Sequence, residues 1–239
     1  MKILFVAMLL MVGAAVAQPT DILVYHDVYG AYGTAVTTAI TNLWPGATVN
    51  AYSGGTAGYT SFNSDMASQN WDMIICEMWY YNTDDLDWMM LNDIYDTNII
   101  FVSSWEWENG QSGQMTLANT FGVTATSPIS GSVIPHYAWD EMHPICDGIT
   151  DWGWQDPGLL TLNAQFTVSD AVPVTGWTAT SSPGAAGICV ANDGQSVISS
   201  FTPAYANESV AIWENILEFM WGGAGALEQS TWGAIKANF

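Results

Sequence analysis

The chain has 239 residues, 49% of them hydrophobic, and its 23 acidic side chains stand against only 2 basic ones, a formal net charge of −21. Both basic residues are lysines, Lys2 and Lys236, and there is no arginine. That balance excludes nucleic acid, which needs cationic side chains on its phosphates, and it disfavours anionic membrane surfaces and arginine-clamped substrates.

In chain order, Lys2 precedes an apolar run from Ile3 to Val16 that closes on Ala15-Val16-Ala17 before Gln18-Pro19. A basic start, a short apolar centre and a small-residue end predict a signal peptide over residues 1–17. No later segment is apolar for long enough to cross a bilayer, so no membrane insertion is expected after its removal. The mature chain is expected to be secreted, extracellular or held at the cell surface. Cleavage would also remove Lys2, leaving 1 − 23 = −22 with Lys236 as the single basic side chain. The remainder is long enough for one domain with a sizeable core, assigned to residues 18–222, with 223–239 as a tail or linker.

Asp21 to His26 reads as a first strand, Ala31 to Leu43 as a helix stopped by Pro45-Gly46, and Ala47 to Tyr52 as a second strand. A short helix is predicted over Phe62 to Gln69, then an apolar strand over Asp72 to Cys76. Thr83-Asp84-Asp85 is placed as the cap of a helix running to about Tyr95. Ile99 to Val102 is a fourth strand, stopping abruptly at Ser103-Ser104, with helix after Gly113. Strands alternating with helices predict a parallel sheet covered on both faces. From Ser127 to Pro183 glycine, proline and short β-like runs predict an irregular or antiparallel insertion. Gly187 to Ala191 and Gln195 to Phe201 form a hairpin about Asn192-Asp193-Gly194. Glu208 to Trp221 is an amphipathic closing helix, with Ile212, Ile216, Leu217 and Met220 inside and Gly222-Gly223 as its end.

The three cysteines are an odd number for a secreted chain. Cys76 and Cys189 sit in apolar runs, as small buried hydrophobes do, and a Cys146–Cys189 bridge has no framework of spacings behind it. None of the three is expected to be catalytic.

Several pieces in order resemble the class I glutamine amidotransferase-like, flavodoxin-like domains of secreted bacterial surface proteins. They are the Asp21–Asp27 strand, Trp71-Asp-Met-Ile-Ile75, and the Phe101-Val-Ser-Ser-Trp-Glu-Trp107 junction with the Leu117–Val123 helix end. His143-Pro-Ile-Cys-Asp-Gly148 and Gly194–Phe201 followed by the Asn215–Met220 helix complete the set. The resemblance implies an α/β, three-layer flavodoxin-like fold. That fold is a mostly parallel sheet with helices on both faces, here with the irregular or antiparallel insertion. It does not bring amidotransferase activity, because the nucleophilic cysteine and its His-Glu partners have no matching positions. Ser103 and Ser104 fall nearest the nucleophile's place, without the glycines of a nucleophile elbow.

Ligands of open α/β sheets bind beyond the carboxyl ends of the strands. Those ends carry His26, Asp27, Glu77, Ser103, Ser104 and Glu106. Asp27, Glu77 and Glu106 are candidates for a Ca²⁺ site, or for a carboxylate pair in acid–base work, or simply for a helix cap and water-facing acids. Aromatic residues crowd the same loops, Trp79-Tyr80-Tyr81 and Trp105 with Trp107, and Trp152 and Trp154 lie in the insertion. Trp79, Trp105 and Trp107 can stack on a glycan or pack in a core or interface. His136-Tyr-Ala-Trp-Asp140-Glu141-Met-His143 offers metal-ligand types at a spacing that matches neither H-E-x-x-H nor a cysteine ribbon. The expectation is a secreted, non-catalytic surface or assembly module binding a glycan, a cation, a protein partner or itself. The alternative is an extracellular hydrolase of carbohydrate or ester bonds using Ser104, His26, Glu77 and Glu106.

Overall fold

The computed structural model describes residues 18–28, 33–78, 85–104, 107, 112–130, 133–155 and 162–229. The first half of the chain alternates strand and helix: β1 (Asp21–His26), α1 (Ala35–Leu43), β2 (Thr48–Tyr52), α2 (Thr56–Met66), β3 (Met73–Met78), α3 (Trp88–Asp93), β4 (Ile99–Ser104) and α4 (Ser112–Thr120). The insertion contributes β5 (Val123–Ser130), β6 (Val133–Ile134), β7 (Tyr137–Ala138), β8 (Trp154–Gln155), β9 (Leu162–Val168), β10 (Val172–Pro173) and β11 (Thr175–Gly176). The chain returns through β12 (Ile188–Ala191) and β13 (Ser196–Ser199) to α5 (Ser209–Gln229).

One seven-stranded sheet runs β10-β12-β13-β4-β3-β1-β2. The neighbours from β2 through β13 pair parallel, while β12 is antiparallel to β13 and β10 to β12. Every residue of β3 and β4 is buried, as strands covered on both faces require. Alternation along each strand sorts the core in two. Ile22, Val24, Ile75 and Phe101 pack with Val36 and Ile40 of α1 and Ile216 and Met220 of α5. Leu23, Tyr25, Cys76 and Val102 pack on the other side with Phe62 of α2, Leu91 of α3 and Leu117 of α4. This is the mostly parallel, flavodoxin-like α/β sandwich expected from the alternating strands and helices.

Several boundaries differ from the sequence reading. The second helix starts at Thr56, not Phe62, because Gly55 turns the chain at φ +71° and Tyr59, Phe62 and Met66 then share the buried face. Asp87, not the Thr83–Asp85 run, caps α3: its side chain accepts from Met90 N at 2.9 Å. Thr83 and Asp84 lie outside the described residues, and Asp85 instead accepts from Thr56 Oγ1 of α2 at 2.6 Å. Gly222-Gly223 does not end the closing helix, which continues to Gln229. The insertion is antiparallel where it is regular: β5 pairs β9, β6 pairs β8 and β7 pairs β11, with a bulge between Thr126 and Ile129 of β5. Among the described residues no helix is long and apolar enough to cross a membrane.

The thiols of Cys76, Cys146 and Cys189 are all free and buried, so the Cys146–Cys189 bridge does not form. Burial pushes all three thiols up, that of Cys146 to about 12 with help from Asp140 and Glu141. Held protonated, they are poor nucleophiles. The His143–Gly148 segment is an architectural turn. His143 Nδ1 accepts from Ile145 N at 3.2 Å, and Asn215 of α5 donates to the carbonyls of Ile145 and Asp147 at 3.1 and 2.7 Å.

Candidate functional site at the strand ends

The sheet register sets His26 beside Glu77, Glu77 beside Ser103 and Ser103 beside Ser199 across four adjacent strand ends. Three of the strand-end residues named from the sequence, His26, Glu77 and Ser103, therefore stand side by side. The strand-end side chains, however, divide between the two faces. Glu77 follows Ile75 and Ser103 follows Phe101 by two residues, which directs both toward the α1/α5 layer, as it does His26 after Val24. Ser104 follows Val102 and turns to the other layer, where its Oγ accepts from Gln114 Nε2 of α4 at 3.0 Å. Asp27 goes with Ser104's layer, its Oδ2 3.4 Å from both the Tyr25 and Tyr59 hydroxyls. Those two rings stack at 4.1 Å.

Glu77 has no solvent exposure. Its Oε1 accepts from Ala204 N at 2.9 Å, on a short turn leading to α5. Burial raises its carboxyl to about 8; the Ala204 N–H and the Trp213 indole pull it down, and Asp27 pushes it up. Glu77 Oε2 and Trp213 Nε1 do not reach full hydrogen-bond geometry with any partner among the described residues. A carboxyl in that setting holds its proton at neutral pH. The imidazole of His26 is shifted down by burial, against a hydrogen bond with the Gly33 backbone that raises it. The phenols of Tyr25 and Tyr59 are driven up by burial and by Asp27.

Trp107, which the sequence leaves open as a stacking face for a ligand or a core residue, is fully buried. Its Nε1 donates to Ser199 O at 2.9 Å, and its ring packs on Trp88 and Phe166 at centroid distances of 6.1 and 5.6 Å. It ties the end of β13 to the α3 side of the core and leaves no face for a sugar. Trp79, Trp105 and Glu106 lie outside the described residues. Three partners escape a reading of the sequence: Gln114, the Ala204 N–H and the tyrosine pair. Of these, only Tyr25 and Tyr59 carry a signal, as polar-tipped aromatics in otherwise apolar positions.

No family profile matches the sequence, and no curated protein does. Among solved structures, the chain is similar to a protein from Thermoplasma acidophilum described as part of a GMP synthase. The two superpose with a TM-score of 0.54 at 11% identity, over 90% of this chain and 100% of that one. A β-galactosidase from Rahnella sp. R3 (TM-score 0.46, 11% identity, 88% of this chain and 32% of that one) is also similar. So is a ThuA-like protein from Parabacteroides merdae, with TM-score 0.46, 8% identity and 86% and 91% coverage. The first likeness shows the amidotransferase-like fold, and at that identity it shows the fold alone.

Proposed function

We propose that the protein is a secreted, non-catalytic ligand-binding or assembly module on a degenerate amidotransferase-like scaffold. One observation carries this reading: of the two hydroxyls nearest a nucleophile's place, Ser104 faces α4, away from Glu77 and His26, while Ser103, on their side of the sheet, is as fully buried as Glu77 and out of a substrate's reach. A hydrolase needs nucleophile and base within hydrogen-bond reach of one another. Here the sheet stands between Ser104 and that base, and Ser103 is sealed into the core beside it. The basic, apolar and small-residue order of residues 1–17 supports export.

A hydrolase remains the second reading because the raised Glu77 carboxyl has the protonation of a general acid. Turnover separates the two. The mature chain is assayed against p-nitrophenyl acetate, p-nitrophenyl glycosides and glutamine, beside Ser104→Ala and Glu106→Gln. Rates equal to buffer background in all three proteins are expected. A rate that either substitution abolishes would overturn the binding-module reading.

A further inference from the structure

A sheet that ends in an open strand can be extended by another chain, and folded proteins guard such edges with short strands, prolines, bulges or charges. Among the described strands every edge but one is guarded. β10 is two residues long and ends on Pro173, and β6, β7, β8 and β11 are equally short. β5 carries Pro128 and the bulge between Thr126 and Ile129. The outer side of β9 is occupied, Phe166 N and Val168 N donating to the carbonyls of Ala186 and Pro183 at 2.9 and 3.1 Å. β2 ends the seven-stranded sheet on the flank opposite β10. It reads Thr48-Val49-Asn50-Ala51-Tyr52, with no proline, no bulge and no charge.

The backbone of β2 is set for a partner. Thr48 N donates to Thr20 O at 2.7 Å, so the donors and acceptors of Thr48, Asn50 and Tyr52 turn toward β1. By the alternation of the strand, the N–H and C=O groups of Val49 and Ala51 point out of the sheet. Ala51 is exposed and Val49 half-buried.

The surroundings narrow that partner. Residues 28–64, which span α1, β2 and most of α2, hold no charged side chain, the longest such run in the chain. Exposed positions of the two flanking helices are short and neutral: Thr38, Thr41, Thr60, Ser61 and Ser64. The Asp65 carboxylate is engaged by Asn50 Nδ2 at 2.9 Å and the Tyr52 hydroxyl at 2.5 Å. A cationic partner gains nothing from such an edge. A second copy, with the same excess of 21 negative charges, is repelled by acidic surface and can approach where the surface is neutral. The strand also matches itself. Turned about a twofold axis through Asn50, Val49 lies opposite Ala51 of the second copy, and every outward N–H of one strand meets a C=O of the other.

We propose that β2 pairs antiparallel with β2 of a second copy, centred on Asn50, joining two sheets into one across a symmetric dimer. This rests on reading the chain as an assembly module, and it names that module's partner.

The test is sedimentation of the mature chain at high micromolar concentration. A species of twice the monomer mass is expected, in a proportion that rises with NaCl as repulsion between the copies is screened. Ala51→Pro removes an outward N–H at a position where an edge strand tolerates proline, and should return the chain to monomer. Ala51→Glu puts a charge on the same edge and should do likewise, with circular dichroism identifying which variants are folded. Asn50→Cys reads the register: on the axis, its Cα stands about 4.5 Å from its symmetry mate, so oxidation should give a disulfide-linked dimer. Thr48→Cys, roughly 13 Å from its mate, should stay uncrosslinked, and the three native thiols are buried. A chain that remains monomeric at high salt overturns the proposal. So does a dimer that a folded Ala51 variant leaves intact, or one that Thr48→Cys links as readily as Asn50→Cys. Turnover by the wild-type dimer would sink the non-catalytic reading and leave the edge contact standing; a monomer without turnover would do the reverse.

Discussion

Glu77 and His136 take opposite parts in the pH dependence of folding, and each can be tested by one substitution. Glu77 titrates near 8 in the folded chain against an ordinary 4.5, so it holds a proton that the unfolded chain has already released. Its contribution is complete below about 4.5 and is lost as pH rises through about 8. Glu77→Gln should therefore flatten the decline in urea midpoint across that window, and an unchanged slope would contradict its burial. His136 is shifted down to about 3 from 6.5, so the unfolded chain binds the proton that the folded chain refuses. Its cost appears as pH falls below about 6.5 and saturates near 3, and His136→Phe should level that acid limb. The row of strand-end side chains is legible in the sequence because apolar runs stop at polar residues there. That Ser104 and Glu77 point apart is not legible, because it depends on the register that sets Glu77 beside Ser103. Their partners are not legible: Ala204 is 127 positions from Glu77, and only the folded sheet brings them together.

Among the elements, α3 depends on a single side chain. Asp87→Ala removes the bond to Met90 N and should cost about 1 kcal/mol in denaturant unfolding. No loss on substitution would show that α3 is held by Trp88 and Leu91 packing alone. Gly122 is a stricter constraint. It adopts φ +78°, and a Cβ there would lie 2.6 Å from Ala171 N. Its carbonyl accepts from Ser169, Asp170 and Ala171 N at 2.9, 3.2 and 3.4 Å, closing the β5–β9 ribbon. Gly122→Ala should destabilise the fold by roughly 1–3 kcal/mol, read from the same unfolding curves. The strands β1, β3 and β4 can be read from sequence because both their faces are apolar. The start of α2 cannot, since its first turn, Thr56-Ala57-Gly58-Tyr59, follows Gly54-Gly55 and holds a further glycine, which reads as loop. The end of α5 lies beyond Gly222-Gly223 because a glycine pair weakens a helix by about 1 kcal/mol per residue without forbidding it.

Over the whole molecule, an excess of 21 negative charges with two lysines leaves carboxylates to be screened by solvent ions. Rising NaCl should raise Tm, because screening relieves repulsion that is strongest in the compact state. Among the described residues no group of three His, Cys, Asp or Glu side chains is placed to hold a metal ion. Because Asp27 meets the Tyr25 and Tyr59 hydroxyls on one face of the sheet and Glu77 meets Ala204 N on the other, CaCl₂ should raise Tm no further than NaCl of equal ionic strength; a larger, saturable shift would establish a specific Ca²⁺ site. The parallel α/β architecture is legible from the alternation of strands and helices, whereas the pairings inside the insertion are not, because its short segments carry no periodic signal. The strand-end side chains Glu77, Ser103 and Ser104 are walled into the core, with Glu77 neutral among them. Infrared difference spectroscopy of the wild type against Glu77→Gln reads that directly. A protonated-carboxyl band should be present at neutral pH, vanish in the variant and titrate away near pH 8. A Glu77 already ionised at pH 5 would show a water-filled crevice and contradict the closure.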